Sequence, residues 1–133
     1  MGKILIVDDS NDIIDSLYDL LSESGHTVYS ENSAVTGHST AERIIPDLIL
    51  CDILMPKNDG YDFLKMITSN KTTASIPIIF ISARAEKTER IRAMLAGASD
   101  YITKPYDGRE LLNLISKVLN ERITSLDQKD IAD

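Results

Sequence analysis

The chain has 133 residues, 43% of them hydrophobic, a formal net charge of −7 and one cysteine. That length suits one domain that buries roughly two-thirds of its unfolded surface without disulfide staples, and the acidic balance excludes a phosphate-backbone binder built on clustered Lys and Arg. Cys51 lacks an intrachain partner, no apolar run reaches the roughly 18 residues of a membrane span, and Ile4-Leu5-Ile6-Val7 is too short and too soon followed by acids for a signal peptide, so the expectation is a cytoplasmic protein.

Residues 3–7 read as a buried strand. Ile13, Ile14, Leu17, Leu20 and Leu21 then recur at helical spacing, opened by Ser10 or Asn11 and closed by Gly25. A short second strand over residues 27–31 leads to a weaker helix over residues 34–44, which Gly37 loosens and Pro46 ends. Residues 47–52 form the third strand, and a loop holding Pro56, Asn58 and Gly60 precedes a helix marked by Phe63, Leu64 and Ile67. A fourth strand covers residues 76–82. A polar helix over residues 86–96 keeps Ile91, Met94 and Leu95 on one side and stops at Gly97, before a fifth strand over residues 100–103. Asp107 and Glu110 have capping-box spacing, and Leu111, Leu112, Ile115, Val118 and Leu119 form the stripe of the last helix. Beyond Ile123 the chain turns polar and acidic, which divides it into a domain over residues 1–122 and a tail, or the start of a linker, over residues 123–133.

Near-continuous apolar strands alternating with amphipathic helices imply a parallel sheet covered on both faces by right-handed crossovers, a three-layer α/β/α domain. In such sheets ligands gather beyond the carboxyl ends of the strands, where the strand order reverses. Asp8, Asp9, Asp52, Ser82 and Lys104 all fall at strand ends. If the first and third strands are neighbours, three carboxylates converge and repel one another unless a cation neutralises them. A hard dication taking oxygen ligands, Mg²⁺ first and Mn²⁺ as its substitute, fits that set. One carboxylate can then attack phosphorus, while Lys104 and the Ser82 hydroxyl contact oxygens of the transferring group.

Each feature alone has a plainer explanation. Acids near a helix N-terminus are common, Ser82 could cap the next helix, Lys104 could be a solvated charge, and Tyr101 could simply pack. Cys51 reads as a small buried hydrophobe, and His26 and His38 as surface residues. The joint placement of the acids, Ser82 and Lys104 reverses those odds.

The pattern resembles the receiver domain of two-component response regulators from Lys3 to about Leu119. It rests on Asp8-Asp9 after the first strand, Asp52 with Met55-Pro56 and Gly60, Ser82-Ala83 after the fourth strand, and Tyr101 before Lys104-Pro105. The resemblance implies a flavodoxin-like, doubly wound, five-stranded parallel sheet of order 2-1-3-4-5 with five helices. It makes Asp52 the phosphoacceptor, Asp9 a metal ligand, Asp8 a ligand acting mainly through metal-bound water, and the Leu54 carbonyl the completion of the metal shell. Lys104 would pair with the phosphoryl group. Ser82 and Tyr101 would form the switch, Tyr101 turning from exposed to buried and remodelling the surface of the fourth helix, fifth strand and fifth helix. The Lys104-Pro105 peptide would be cis, and Leu54 and Arg84 would flank the path of the water that hydrolyses the aspartyl phosphate.

The implied partners are a sensor histidine kinase or a histidine phosphotransfer protein, an output domain beyond the C-terminus where there is one, and a second copy in a phosphorylation-dependent homodimer. Neither nucleic acid nor membrane is an expected direct partner. The resemblance thus implies a switch rather than a turnover enzyme. A phosphorylation-independent interaction module of the same fold is the alternative. An aspartate-nucleophile phosphatase of the haloacid-dehalogenase type is disfavoured, since Asp8-Asp9-Ser10 lacks its Asp-x-Asp arrangement, and the acidic first loop would repel a flavin phosphate.

Overall fold

A computed structural model describes residues 2–132, with side chains to Arg122. Five strands and five helices alternate: β1 (Lys3–Val7), α1 (Asn11–Glu23), β2 (Thr27–Glu31), α2 (Ala34–Ile44), β3 (Leu48–Asp52), α3 (Gly60–Ser69), β4 (Ile78–Ser82), α4 (Lys87–Ala96), β5 (Asp100–Thr103) and α5 (Gly108–Ala132). The strands make one parallel sheet in the order β2-β1-β3-β4-β5. The alternation of strand and helix patterns implies the parallel sheet, and the receiver resemblance implies this doubly wound flavodoxin-like order.

The sheet is apolar on both faces because helices cover both. Ile4, Ile6, Leu50, Ile79 and Ile81 meet Leu17 and Leu21 of α1 and Leu111, Ile115 and Val118 of α5. On the other face Leu5, Val7, Ile49, Cys51 and Phe80 pack with Ala41 of α2, Phe63 and Ile67 of α3 and Ala93 of α4. β1, β3 and β4 are almost wholly buried, which accounts for their unbroken hydrophobic runs.

Local chemistry sets the helix ends. The Ser10 hydroxyl accepts the Ile13 amide at 3.4 Å to open α1, and Gly97 closes α4 at φ 115°, where a Cβ is disfavoured. The reciprocal capping box lies at α3, where Asp59 and Asp62 accept each other's amides. Asp107 instead accepts the Arg109 amide at 2.8 Å, one residue short of the box expected with Glu110.

Two strands begin later than their apolar pattern. Asp47 is taken up by the Lys3 amide, which its carboxylate accepts at 2.8 Å, so β3 starts at Leu48. The Ile76 amide closes a turn on the Thr73 carbonyl at 3.0 Å, so Ile76 is buried ahead of β4 rather than within it. α5 also continues past Ile123 to Ala132, over residues whose composition suggests a polar tail or linker.

Gly60, the first residue of α3, donates its amide to the Ile53 carbonyl at 2.7 Å. A Cβ there would lie 2.8 Å from the Ile53 Cα and 2.9 Å from the Asp52 carbonyl oxygen, both backbone atoms that cannot swing away. Alanine gains up to about 1 kcal/mol of helix propensity over glycine, but overpacking against backbone costs about 1–3 kcal/mol. Gly60→Ala is therefore expected to destabilise the protein by roughly 1–2 kcal/mol, read as a lower urea midpoint with an unchanged slope.

Candidate functional site

β2 lies on one side of β1 and β3 on the other, so the strand order reverses between β1 and β3. The carboxyl edge at that point is where an open α/β sheet presents its crevice. Asp8 and Asp9 leave β1 there, and Asp52 ends β3. The Val7↔Cys51 register sets Asp8 beside Asp52, and carboxylate oxygens of Asp8, Asp9 and Asp52 all lie within 4.8 Å of one another. Ser82 ends β4 one step beyond the Asp52↔Ile81 pair and opposite Thr103, which brings Lys104 to the same edge. Lys104 Nζ stands 3.7 Å from Asp52 Oδ1. The structure thus gathers Asp8, Asp9, Asp52 and Lys104, with Ser82 on the adjoining strand end. Leu54, two residues past Asp52, keeps its side chain half-exposed.

The three acids have different surroundings. Asp8 is buried, with 2% of its surface exposed, and its Oδ1 accepts the Ser10 amide at 2.9 Å. Burial is the main force raising its carboxyl above the ordinary range; the Ser10 amide opposes this and the charge on Asp52 adds to it. Asp52 is raised chiefly by burial as well, with Asp9 pushing the same way and Lys104 and the Leu54 and Ile53 amides pulling it down. Asp9 is exposed. Lys104 is therefore one cation against three acids, too few to balance them.

The donor chemistry fits a hard divalent cation. All three groups offer carboxylate oxygen, with no Cys or His among them, and the set grades from the buried Asp8 to the exposed Asp9, which leaves one side open to water. Oxygen ligands with retained water suit Mg²⁺.

The sequence profile of the response regulator receiver domain matches residues 4–116. The chain belongs to that family. It is 35% identical over 119 residues to Protein PilH of Pseudomonas aeruginosa, covering 90% of this chain and 98% of PilH. It is 33% identical over 130 residues to the transcriptional regulatory protein CpxR of Escherichia coli, covering 98% of this chain and 54% of CpxR. The crystal structure of NtrX from Brucella abortus superposes with a TM-score of 0.90 at 26% identity, over 98% of this chain and 29% of that one. The chain thus spans nearly all of PilH but about half, or less, of CpxR and NtrX. This chain is therefore a phosphorylation-activated receiver of the two-component kind, and receiver domains in general bind Mg²⁺ at an acidic pocket.

In this receiver Tyr101 is buried, with 4% of its surface exposed, and its hydroxyl donates to the Arg84 carbonyl at 2.6 Å. The Arg84 amide donates to Ser82 Oγ at 3.1 Å. One loop residue therefore touches both Ser82 and Tyr101. The Arg84 guanidinium turns to Glu89 of α4 at 3.2 Å, so its side chain braces the loop against that helix. The Lys104-Pro105 peptide is cis.

Sequence reasoning missed both Asp100 and Arg90. From the polar helix, Arg90 reaches β5, donating to Asp100 Oδ1 and to the Tyr101 carbonyl, each at 2.8 Å. The available signal was an acid at the start of a buried strand, which needs a partner. His26 is also tied in, its Nδ1 accepting the Gly2 amide at 3.1 Å.

If the acidic cluster takes a cation, millimolar Mg²⁺ is expected to raise the melting temperature. Asp9→Asn, changed at an exposed position, should retain the metal-free fold and lose most of that rise, as followed by scanning fluorimetry with an external dye. An undiminished rise in the variant would place the cation elsewhere.

Proposed function

We propose that Asp52 accepts a phosphoryl group from a phosphohistidine of a sensor kinase or phosphotransfer protein. The observation that carries this reading is the Asp52 carboxylate at the strand-order reversal, 3.7 Å from Lys104 and beside two further acids. A carboxylate oxygen of Asp52 attacks phosphorus, the bond from phosphorus to the imidazole nitrogen breaks, and the imidazole leaves with the electron pair. Lys104 supplies fixed positive charge to the phosphoryl oxygens, which the acids alone would repel. Asp8, Asp9, Asp52 and the Leu54 carbonyl would hold Mg²⁺. Bound there, the ion supplies charge neutralisation for the carboxylates and the incoming oxygens.

The burial of Asp52 matters to this chemistry. A partly desolvated carboxylate is less stabilised by water and better placed to attack, and Lys104 with the Leu54 and Ile53 amides opposes the upward push that burial gives its carboxyl. Asp8, hydrogen-bonded to Ser10, is the more fixed of its neighbours.

The same geometry supports a switch readout. Ser82, released from the Arg84 amide, would donate its hydroxyl to a phosphoryl oxygen on Asp52. That movement draws on the loop whose Arg84 carbonyl holds Tyr101, and so on the surface formed by α4, β5 and α5. The partner that reads this surface is an output domain, a separate protein or a second copy. PilH, matched over nearly its whole length, and CpxR, matched over about half, exemplify short and long relatives.

Incubation with acetyl phosphate and Mg²⁺ is expected to add one phosphoryl group by intact mass, and chelation or Asp52→Ala should abolish it. An adduct that survives Asp52→Ala would assign the acceptor to another residue. No adduct, together with no response to beryllofluoride, would favour a phosphorylation-independent interaction module.

A further inference from the structure

Tyr101 is held at three places, and two of the groups that hold it belong to α4 or the loop leading into it. Its hydroxyl is bound by the Arg84 carbonyl at 2.6 Å. Its carbonyl accepts from Arg90 at 2.8 Å, and its amide donates to Asp100 Oδ1 at 2.8 Å. The other arm of the Arg90 fork lands on that same Asp100 oxygen at 2.8 Å. β5 is an edge strand, so neither peptide group of Tyr101 has a further strand to pair with on its open side.

We propose that Arg90 is a positioning residue for the switch: its planar fork joins Asp100 and the Tyr101 carbonyl, fixes α4 against β5, and so keeps the Arg84 carbonyl within reach of the buried Tyr101 hydroxyl. The inference rests on Tyr101 serving as the switch aromatic of the receiver. The path from Arg90 to the hydroxyl is short. Arg90 pins the helix, Glu89 on the same turn holds the Arg84 side chain at 3.2 Å, and the Arg84 backbone holds both Ser82 and Tyr101. Loosening α4 therefore moves the acceptor on which the inward tyrosine depends.

Burial separates the two ends of the clamp. The Arg90 side chain is 52% exposed, whereas Asp100 is 9% exposed. An exposed ion pair contributes little to stability, but the carboxylate and the edge carbonyl each need a donor. A guanidinium can serve both at once; an ammonium is a point charge without that fork. The rival role for Arg90 is edge protection of β5 alone. That role predicts a change in stability and none in Tyr101 or in coupling to Asp52.

The experiment uses full-length protein carrying 3-fluorotyrosine, with Tyr101→Phe assigning the Tyr101 line in ¹⁹F spectra and urea melts reporting stability. Beryllofluoride with Mg²⁺ is titrated into wild type, Arg90→Ala and Arg90→Lys. In Arg90→Ala the Tyr101 line is expected to move toward the position of exposed tyrosine. Its apparent beryllofluoride affinity should fall roughly fivefold, since an inward tyrosine and an occupied Asp52 favour each other reciprocally. Arg90→Lys should fall between the two. An Arg90→Ala protein with an unmoved Tyr101 line and unchanged beryllofluoride affinity would overturn the proposal, whatever its stability. Should Arg90→Ala fail to fold, Arg90→Lys is judged by the same two readouts. A wild type that binds no beryllofluoride would count against the phosphoacceptor reading, and the Tyr101 line would still decide whether Arg90 positions the tyrosine.

Discussion

Like-charge repulsion at the carboxyl edge of the sheet is the constraint around which this receiver is organised. Asp8, Asp9 and Asp52 bring carboxylate oxygens within 4.8 Å of one another, two of the three acids being at least half-buried. A cluster of that kind stores unfavourable energy in its ionised form. It persists because the parallel sheet leaves no choice of position. β1 and β3 are hydrogen-bonded in fixed register and buried on both faces, so the first residues past their ends must emerge together. The strain is met partly by Lys104, partly by the Ser10 amide, and by whatever cation the edge can draw in. The site therefore attracts positive charge, a property on which the proposed delivery of an anionic phosphoryl group to Asp52 depends.

The fold was legible because its physics is local and redundant. Ile4 to Val7 and Leu48 to Cys51 are apolar without a break, which only a strand covered on both faces allows, and Leu17, Leu21, Leu111 and Ile115 keep a helical period. Boundaries were less legible where a side chain competes with the backbone ladder. Asp47 looks like the first residue of a strand, but its carboxylate is drawn off by the Lys3 amide, and the Ile76 amide is claimed by a turn. The Asp59–Asp62 capping box went unremarked because it follows a loop without hydrophobic period, while Asp107 and Glu110 have the spacing without the geometry.

The site divides along the same line. Asp8, Asp9, Asp52, Ser82 and Lys104 could be placed from sequence, since each falls at the carboxyl end of a strand and the alternation of elements puts those ends on one edge. Arg90 and Asp100 could not. Their contact joins a helix to an edge strand across ten positions, and nothing in the spacing distinguishes Arg90 from the other charges on α4. Position relative to the strand ends is written in the pattern; the side-chain contacts that link those ends to the outer helices are not.

Magnitudes explain how one added charge can be felt at a distance. Besides its packing in the apolar layer with Phe63 and Phe80, Tyr101 is held by one neutral hydrogen bond, worth about 0.5–1.5 kcal/mol net, and by two to charged groups, worth about 1.5–3 kcal/mol each, while coupling between two sites is typically about 1–3 kcal/mol. Under the proposed switch, a phosphoryl group that drew the Ser82 hydroxyl away from the Arg84 amide would exchange energies of the same order as those of these hydrogen bonds. The apolar layers hold the sheet, and between β4, α4 and β5 the Arg84, Arg90 and Asp100 contacts form a polar seam, the part of the domain on which the proposed switch would draw.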